Sequence, residues 1–110
     1  MGASKTSEYT SKEISLSKYA KAISHPARIA ILHLLLKKQS CVCGDIVNEL
    51  PLSQSTVSQH LKELKEAGLI KGDIEGASVC YCIDEKEWKK AKSLLESFFL
   101  PQNKLNSKCC

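Results

Sequence analysis

Apolar residues recur at three- and four-residue spacing along most of this chain, and at alternate positions in one stretch. Ile14, Leu16, Tyr19, Ala20 and Ile23 predict an amphipathic helix over 14–23. The next run, HPARIAILHLLLKKQ, is almost wholly apolar from Ile29 to Leu36, so its helix must be central to a core. Ser24 is its expected cap, and Pro26 falls in the first turn, where a missing N–H costs nothing. His33 inside this run reads as a satisfied or partly exposed core histidine rather than a ligand. Cys41 to Leu50 predicts a short third helix, with Ile46, Val47 and Leu50 inward and Pro51 ending it.

The stretch SQSTVSQHLKELKEAG, Ser53 to Gly68, is the most informative. Val57, Leu61 and Leu64 form its apolar face, Ser53 or Ser55 can cap it, and Gly68 provides a left-handed stop. Ser55, Thr56, Ser58, Gln59 and Lys62 fall on the remaining surface. An ordinary surface helix carries more Glu and Lys in its first two turns. Here those turns are uncharged, which suits close approach to a polyanion and hydrogen bonding to phosphates and base edges. Two helices joined by a few residues, the second polar on its outer face, make a helix-turn-helix.

After Gly68 the period shortens to two. LIKGDI and VCYCI read as strands, with Val79, Tyr81 and Ile83 on one face and Glu75 to Ser78 as the hairpin loop. A two-stranded hairpin in this position is a wing. Asp84 is expected to cap a last helix, EKEWKKAKSLLESFFL, with Glu87 completing a capping box. The predicted fold is mainly α with a two-stranded β-hairpin, a winged helix-turn-helix of order α-α-α-α-β-β-α. Residues 1–12 read as a flexible leader, 13–100 as the winged-helix DNA-binding and dimerisation domain, and 101–110 as a flexible tail containing cysteine.

Composition narrows this only a little. The chain has 110 residues, 43% hydrophobic and 25% charged, enough for one small domain. A net charge of +4 permits a nucleic-acid partner without requiring one. No apolar run approaches the roughly 18 residues of a membrane span, and the N-terminus lacks the apolar region of a signal peptide. A cytoplasmic protein without a membrane partner is expected. Its 6 cysteines fall in close pairs: Cys41 and Cys43, Cys80 and Cys82, Cys109 and Cys110. In a reducing compartment that pairing favours soft-ion ligation or redox sensing over a disulfide framework. Burial as a small hydrophobe explains one pair and poorly explains three.

The runs HPARIAILHLL, CVCGDIVNELPLSQSTVSQHLKELKEAGLI and GASVCYCID resemble the ArsR/SmtB family of bacterial metal-sensing repressors, over roughly residues 14 to 100. The resemblance implies a homodimer paired through its first and last helices, which binds a palindromic double-stranded DNA operator, represses, and is released by an inducer ion. The residues agree. One recognition helix reads only a few base pairs, and two-fold pairing supplies a second half-site. The apolar stripes around Ile14 and around Trp88, Leu95 and Phe98 exceed what one small core uses. Ser55, Thr56, Ser58, Gln59 and His60 are the base-groove and phosphate candidates, His60 being equally suited to packing. Lys62 and Lys71 are phosphate candidates, equally suited to plain solvation.

The family's arsenic sensors carry Cys-Val-Cys plus a third cysteine before the recognition helix. Cys41-Val42-Cys43 matches the first two; the third position falls on Val47. As(III) and Sb(III) favour three soft sulfurs. Cysteines two apart in a regular helix diverge, so Cys41 and Cys43 converge only if the helix start is unwound. The missing sulfur could come from Cys109 or Cys110; Cys80 and Cys82, on one strand face, are the less favoured source. The family's zinc site on the last helix lacks its histidines here, leaving Asp84 and Glu87, a poor zinc set. A thiophilic inducer such as As(III) or Sb(III) therefore ranks first, a thiol-redox or persulfide switch second, and zinc or cadmium at thiolates third. No cofactor is required for DNA binding. A module that binds DNA without sensing remains a different class. No nucleophile triad, phosphate loop or HExxH is present, so an enzyme is not expected.

Overall fold

The computed structural model describes residues 8–39, 41–43, 53–73 and 80–100. Among them run α1 (Ser11–Ala22), α2 (Pro26–Lys38), β1 (Val42–Cys43), α3 (Gln54–Glu66), β2 (Ile70–Asp73), β3 (Cys80–Ile83) and α4 (Glu85–Phe99). The predicted third helix divides. Cys41 lies in neither helix nor strand, Val42 and Cys43 are strand, and 44–50 lie outside the described residues. So do the loop from Glu75 to Ser78, most of the leader and the tail with Cys109 and Cys110.

Local chemistry sets the helix ends. Thr10 and Glu13 form a reciprocal capping box on α1: the Glu13 amide donates to Thr10 Oγ1 at 3.1 Å and the Thr10 amide to Glu13 Oε1 at 2.9 Å. The helix thus begins at Ser11, before the leader was expected to end. Ser24 is not the cap of α2. Its hydroxyl donates back to the Lys21 carbonyl at 2.7 Å, closing α1. His25 caps α2 instead, its Nδ1 accepting from the Ala27 amide at 3.0 Å, with Pro26 in the first turn. An imidazole acceptor fills the role a serine oxygen usually takes.

At the end of α3, the Gly68 amide donates to Lys65 O at 2.9 Å and the Leu69 amide to Leu64 O at 3.1 Å. This is a Schellman closure, which needs a left-handed residue, and Gly68 sits at φ 87°. The turn sends the chain directly into β2.

The sheet has three strands in the order β1-β3-β2, not the two of a simple hairpin. β3 pairs antiparallel with both neighbours: Val42 opposite Tyr81 and Cys43 opposite Cys80 on one side, Lys71 opposite Cys82 and Gly72 opposite Tyr81 on the other. Gly72 is required where it stands. Its φ is 119°, and a Cβ there would lie 2.2 Å from the Cys80 carbonyl oxygen.

The core joins every layer. Tyr19 of α1, Ile31, Leu32 and Leu35 of α2, Val57, Leu61 and Leu64 of α3, Leu69, Ile70, Tyr81 and Ala91 form one buried cluster. The central position expected for α2 is borne out on its Ala27–Ile31–Leu35 side, while Ile29, His33 and Leu36 are exposed.

Candidate DNA-reading surface and cysteine cluster

Helix α3 starts at Ser53, whose Oγ accepts from the Thr56 amide at 3.3 Å and lies 2.8 Å from Thr56 Oγ1. Val57, Leu61 and Leu64 bury one face against α2 and β2, so the opposite face is solvent. Ser55, Thr56, Ser58, Gln59 and Lys62 are exposed there, and Lys71 is exposed on β2. Gln59 Nε2 donates to Glu63 Oε1 at 3.5 Å, a long, solvent-exposed contact that a base edge could replace.

His60 is corrected. It is buried, with 8% of its surface exposed, and lies on the inner side of α3. Its Nδ1 accepts from Arg28 Nε at 3.0 Å, and its ring packs 4.5 Å from that of His25. Arg28 also donates to the Ala22 carbonyl at 3.3 Å. Burial chiefly, then the His25 and Arg28 charges, pushes the His60 pKa below its usual value. A neutral imidazole is what an arginine donor needs as acceptor. His60 thus docks α3 on α2. Arg28 was missed, although a lone cation at the start of an apolar helix hints at a polar partner.

A second polar contact was also missed. The buried Tyr19 hydroxyl donates to Glu87 Oε2, and Lys18 Nζ lies 3.6 Å from the same carboxylate. Asp84 caps α4 as expected, its Oδ1 accepting from the Glu87 amide at 3.2 Å. The box is not completed, because the Glu87 side chain reaches to α1. Burial, then the bond and charge of Glu87, raise Tyr19 to about 12. The Tyr19 bond chiefly, with Lys18 and Lys90, lowers Glu87 against the effect of its burial. Glu87 so committed is no free metal ligand, and α4 carries no histidine.

The cysteines depart most from expectation. Cys41 to Cys43 does not start a helix. Val42 and Cys43 are strand, and the register sets Cys43 opposite Cys80 and, one step on, Cys41 opposite Cys82. Disulfides join Cys41 to Cys82 and Cys43 to Cys80, with Cα–Cα separations of 4.3 and 4.0 Å. Residues two apart on a strand share a face, so all four sulfurs lie on one face of the β1–β3 ladder. That face is opposite buried Tyr81, as alternation predicts for Cys80 and Cys82. The divergence expected of Cys41 and Cys43 in a helix does not arise.

Of the residues expected to pair subunits, Ile14 and Phe98 are exposed, Trp88 and Leu95 half-buried. Phe99 and Leu100 are exposed beside them. Tyr19, Ile23, Trp88, Ala91 and Leu95 line an apolar groove of about 460 Å³ where α1 meets α4.

Residues 25–71 match the family described as bacterial regulatory protein, arsR family. The cadmium resistance transcriptional regulatory protein CadC homolog of Staphylococcus aureus is 37% identical over 93 residues, 84% of this chain and 74% of that protein. The transcriptional activator HlyU of Vibrio cholerae is 35% identical over 83 residues, 76% of each chain. A crystal structure of a possible transcriptional regulator for arsenical resistance superposes with a TM-score of 0.63 at 26% identity, over 77% of this chain and 88% of that one. Winged helix, matched sequence and shared regulatory kin agree: the chain belongs to the ArsR family of transcriptional regulators.

Proposed function

We propose that this regulator is a homodimeric repressor that binds a palindromic DNA operator and leaves it when a thiophilic effector engages the cysteines of β1 and β3. The observation that carries the DNA half is the exposed, uncharged Ser55–Gln59 face of α3, flanked by exposed Lys62 and Lys71. Short hydroxyls and an amide approach phosphates and bases without carboxylate repulsion, and the two lysines flank them as counter-charges. The exposed apolar ends of α1 and α4 support pairing, since Ile14, Phe98 and Phe99 remain exposed among the described residues.

For the effector, the tail is no longer needed as a sulfur source. Reduced, Cys41 and Cys43 of β1 and Cys80 and Cys82 of β3 offer more than the three soft sulfurs that As(III) or Sb(III) favours. The sulfurs must first be reduced: among the described residues, no group of three or more potential ligands stands ready in the disulfide form. The arsenical- and cadmium-resistance relatives are consistent with a soft ion, and HlyU, an activator, shows that likeness alone does not choose one.

The test begins with the duplex that the reduced protein enriches from a randomised pool. Gln59→Ala should weaken binding to it by about 1–3 kcal/mol while leaving random DNA unaffected. Lys71→Ala should weaken all duplexes alike and flatten the salt dependence by roughly one unit. An unchanged ratio of selected to random affinity in Gln59→Ala would place base reading elsewhere.

A further inference from the structure

We propose that Cys41, Cys43, Cys80 and Cys82 form a redox-sensing cluster of two cross-strand dithiols, oxidised by an anionic low-molecular-weight disulfide of the glutathione type. This rests on the operator-binding reading above and adds a second effector chemistry at the same site.

The geometry builds it. Each Cys-X-Cys run places both sulfurs on one strand face, and the antiparallel register sets the runs against each other, residue for residue. Directly opposed residues at non-hydrogen-bonded positions have Cα atoms about 4.5 Å apart and the closest side chains. The separations of 4.0 and 4.3 Å put both cysteine pairs at such positions. Cys41 and Cys43 are exposed and Cys80 and Cys82 half-buried, so a small oxidant reaches the cluster from the β1 side.

The surroundings choose the oxidant. Cys41 and Cys82 border an open depression of about 780 Å³, also lined by Lys71, Lys86 and Lys89. Asp84 and Glu85 share that lining, so three lysines stand against two carboxylates and the rim is net positive. Lysines favour thiolate over thiol and attract carboxylates. A cysteine thiolate attacks one sulfur of the small disulfide and expels its thiolate. The opposite cysteine, having lost its proton, then attacks the mixed disulfide and expels the second. Each pair loses two electrons and two protons, which leave on two small thiols.

Closure matters because of where the bonds lie. β1 is a two-residue edge strand between α2 and the run leading to Ser53, the cap of the DNA-reading helix. So short a pairing holds weakly without a covalent tie. β3 is the central wing strand, and Lys71 of β2 stands directly opposite Cys82. The bonds fasten β1, which precedes α3 in the chain, onto β3, beside the candidate phosphate lysine Lys71, and so couple the two DNA-facing elements covalently. Disulfides in a reducing compartment are characteristically transient and sensory, which is the setting of an operator-binding protein.

The test uses the full chain with Cys109→Ser and Cys110→Ser, so that tail thiols cannot exchange. Treated with oxidised glutathione, then alkylated and digested with trypsin, it should yield the peptide bearing Cys41 and Cys43 joined to that bearing Cys80 and Cys82. Separate peptides, each closed on itself or still alkylated, would overturn the cross-strand pairing. Oxidation should weaken binding to the selected duplex by about tenfold or more, within the usual range of coupling between sites, and dithiothreitol should restore it. Cys80→Ser with Cys82→Ser should bind like the reduced protein in both conditions; circular dichroism checks that it folds. Linked peptides with unchanged duplex affinity would overturn the sensing role while leaving the operator reading intact. Failure to enrich any duplex would defeat the operator reading, while the peptide result would still decide the pairing.

Discussion

Tyr19 and Glu87 tie the first helix to the last through one buried hydroxyl and one carboxylate, and their shifts in opposite directions make the tie pH-dependent. Glu87, lowered in the folded state, contributes stability that is full above its unfolded pKa and is lost as pH falls through its folded one. Tyr19, raised to about 12, contributes stability present below its unfolded value near 10 and lost as pH rises towards 12. Tyr19→Phe should therefore cost about 1 kcal/mol at neutral pH and move the Glu87 carboxyl titration upward in NMR. An unmoved Glu87 titration would show the bond to be absent in solution. His60 behaves as Glu87 does in sign: its lowered pKa means that the docking of α3 on α2 loses stability as pH falls below about 6.5. Neither contact was legible in sequence. Tyr19 and Glu87 lie on separate helices, and His60 faces inward only because Val57, Leu61 and Leu64 set the rotation of α3.

At the scale of elements, the helices were legible and the sheet only in part. A 3.6 period with Ser53 at one end and Gly68 at the other specifies α3 almost completely. β2 and β3 followed from alternation. β1 did not, because a two-residue strand has no period of its own, and its identity comes from pairing with β3. Cys41 to Leu50 as one helix sets Cys41 and Cys43 on diverging sides and leaves the tail as the source of a third sulfur. The partner was the other Cys-X-Cys run, 37 and 41 residues away in the two bonds. Gly72 tests the sheet register. Gly72→Ala forces a Cβ against the Cys80 carbonyl at positive φ and should lower stability by about 1–3 kcal/mol in denaturant unfolding. An unchanged midpoint would mean that β2 and β3 pair in another register.

For the whole molecule, family membership and the exposed apolar ends of α1 and α4 point to two-fold assembly, without which one recognition helix spans too few base pairs. Leu95→Glu sets a charge in the groove between these helices and should shift sedimentation from dimer to monomer, since an unpaired charge in an apolar interface costs several kcal/mol. A dimer that persists would move the pairing surface elsewhere, Ile29 and Leu36 of α2 being further exposed apolar residues among those described. Thiols spanning β1 and β3 are proposed to govern operator binding. Fluorescence anisotropy of the selected duplex with the fully reduced protein, titrated with As(III), decides this. Affinity should fall by about tenfold or more, less at low pH because thiolates are the ligands. That loss should survive removal of Cys109 and Cys110 and vanish in Cys41→Ser with Cys43→Ser. Affinity unmoved by As(III), or a response that needs the tail and not Cys80 and Cys82, would contradict it.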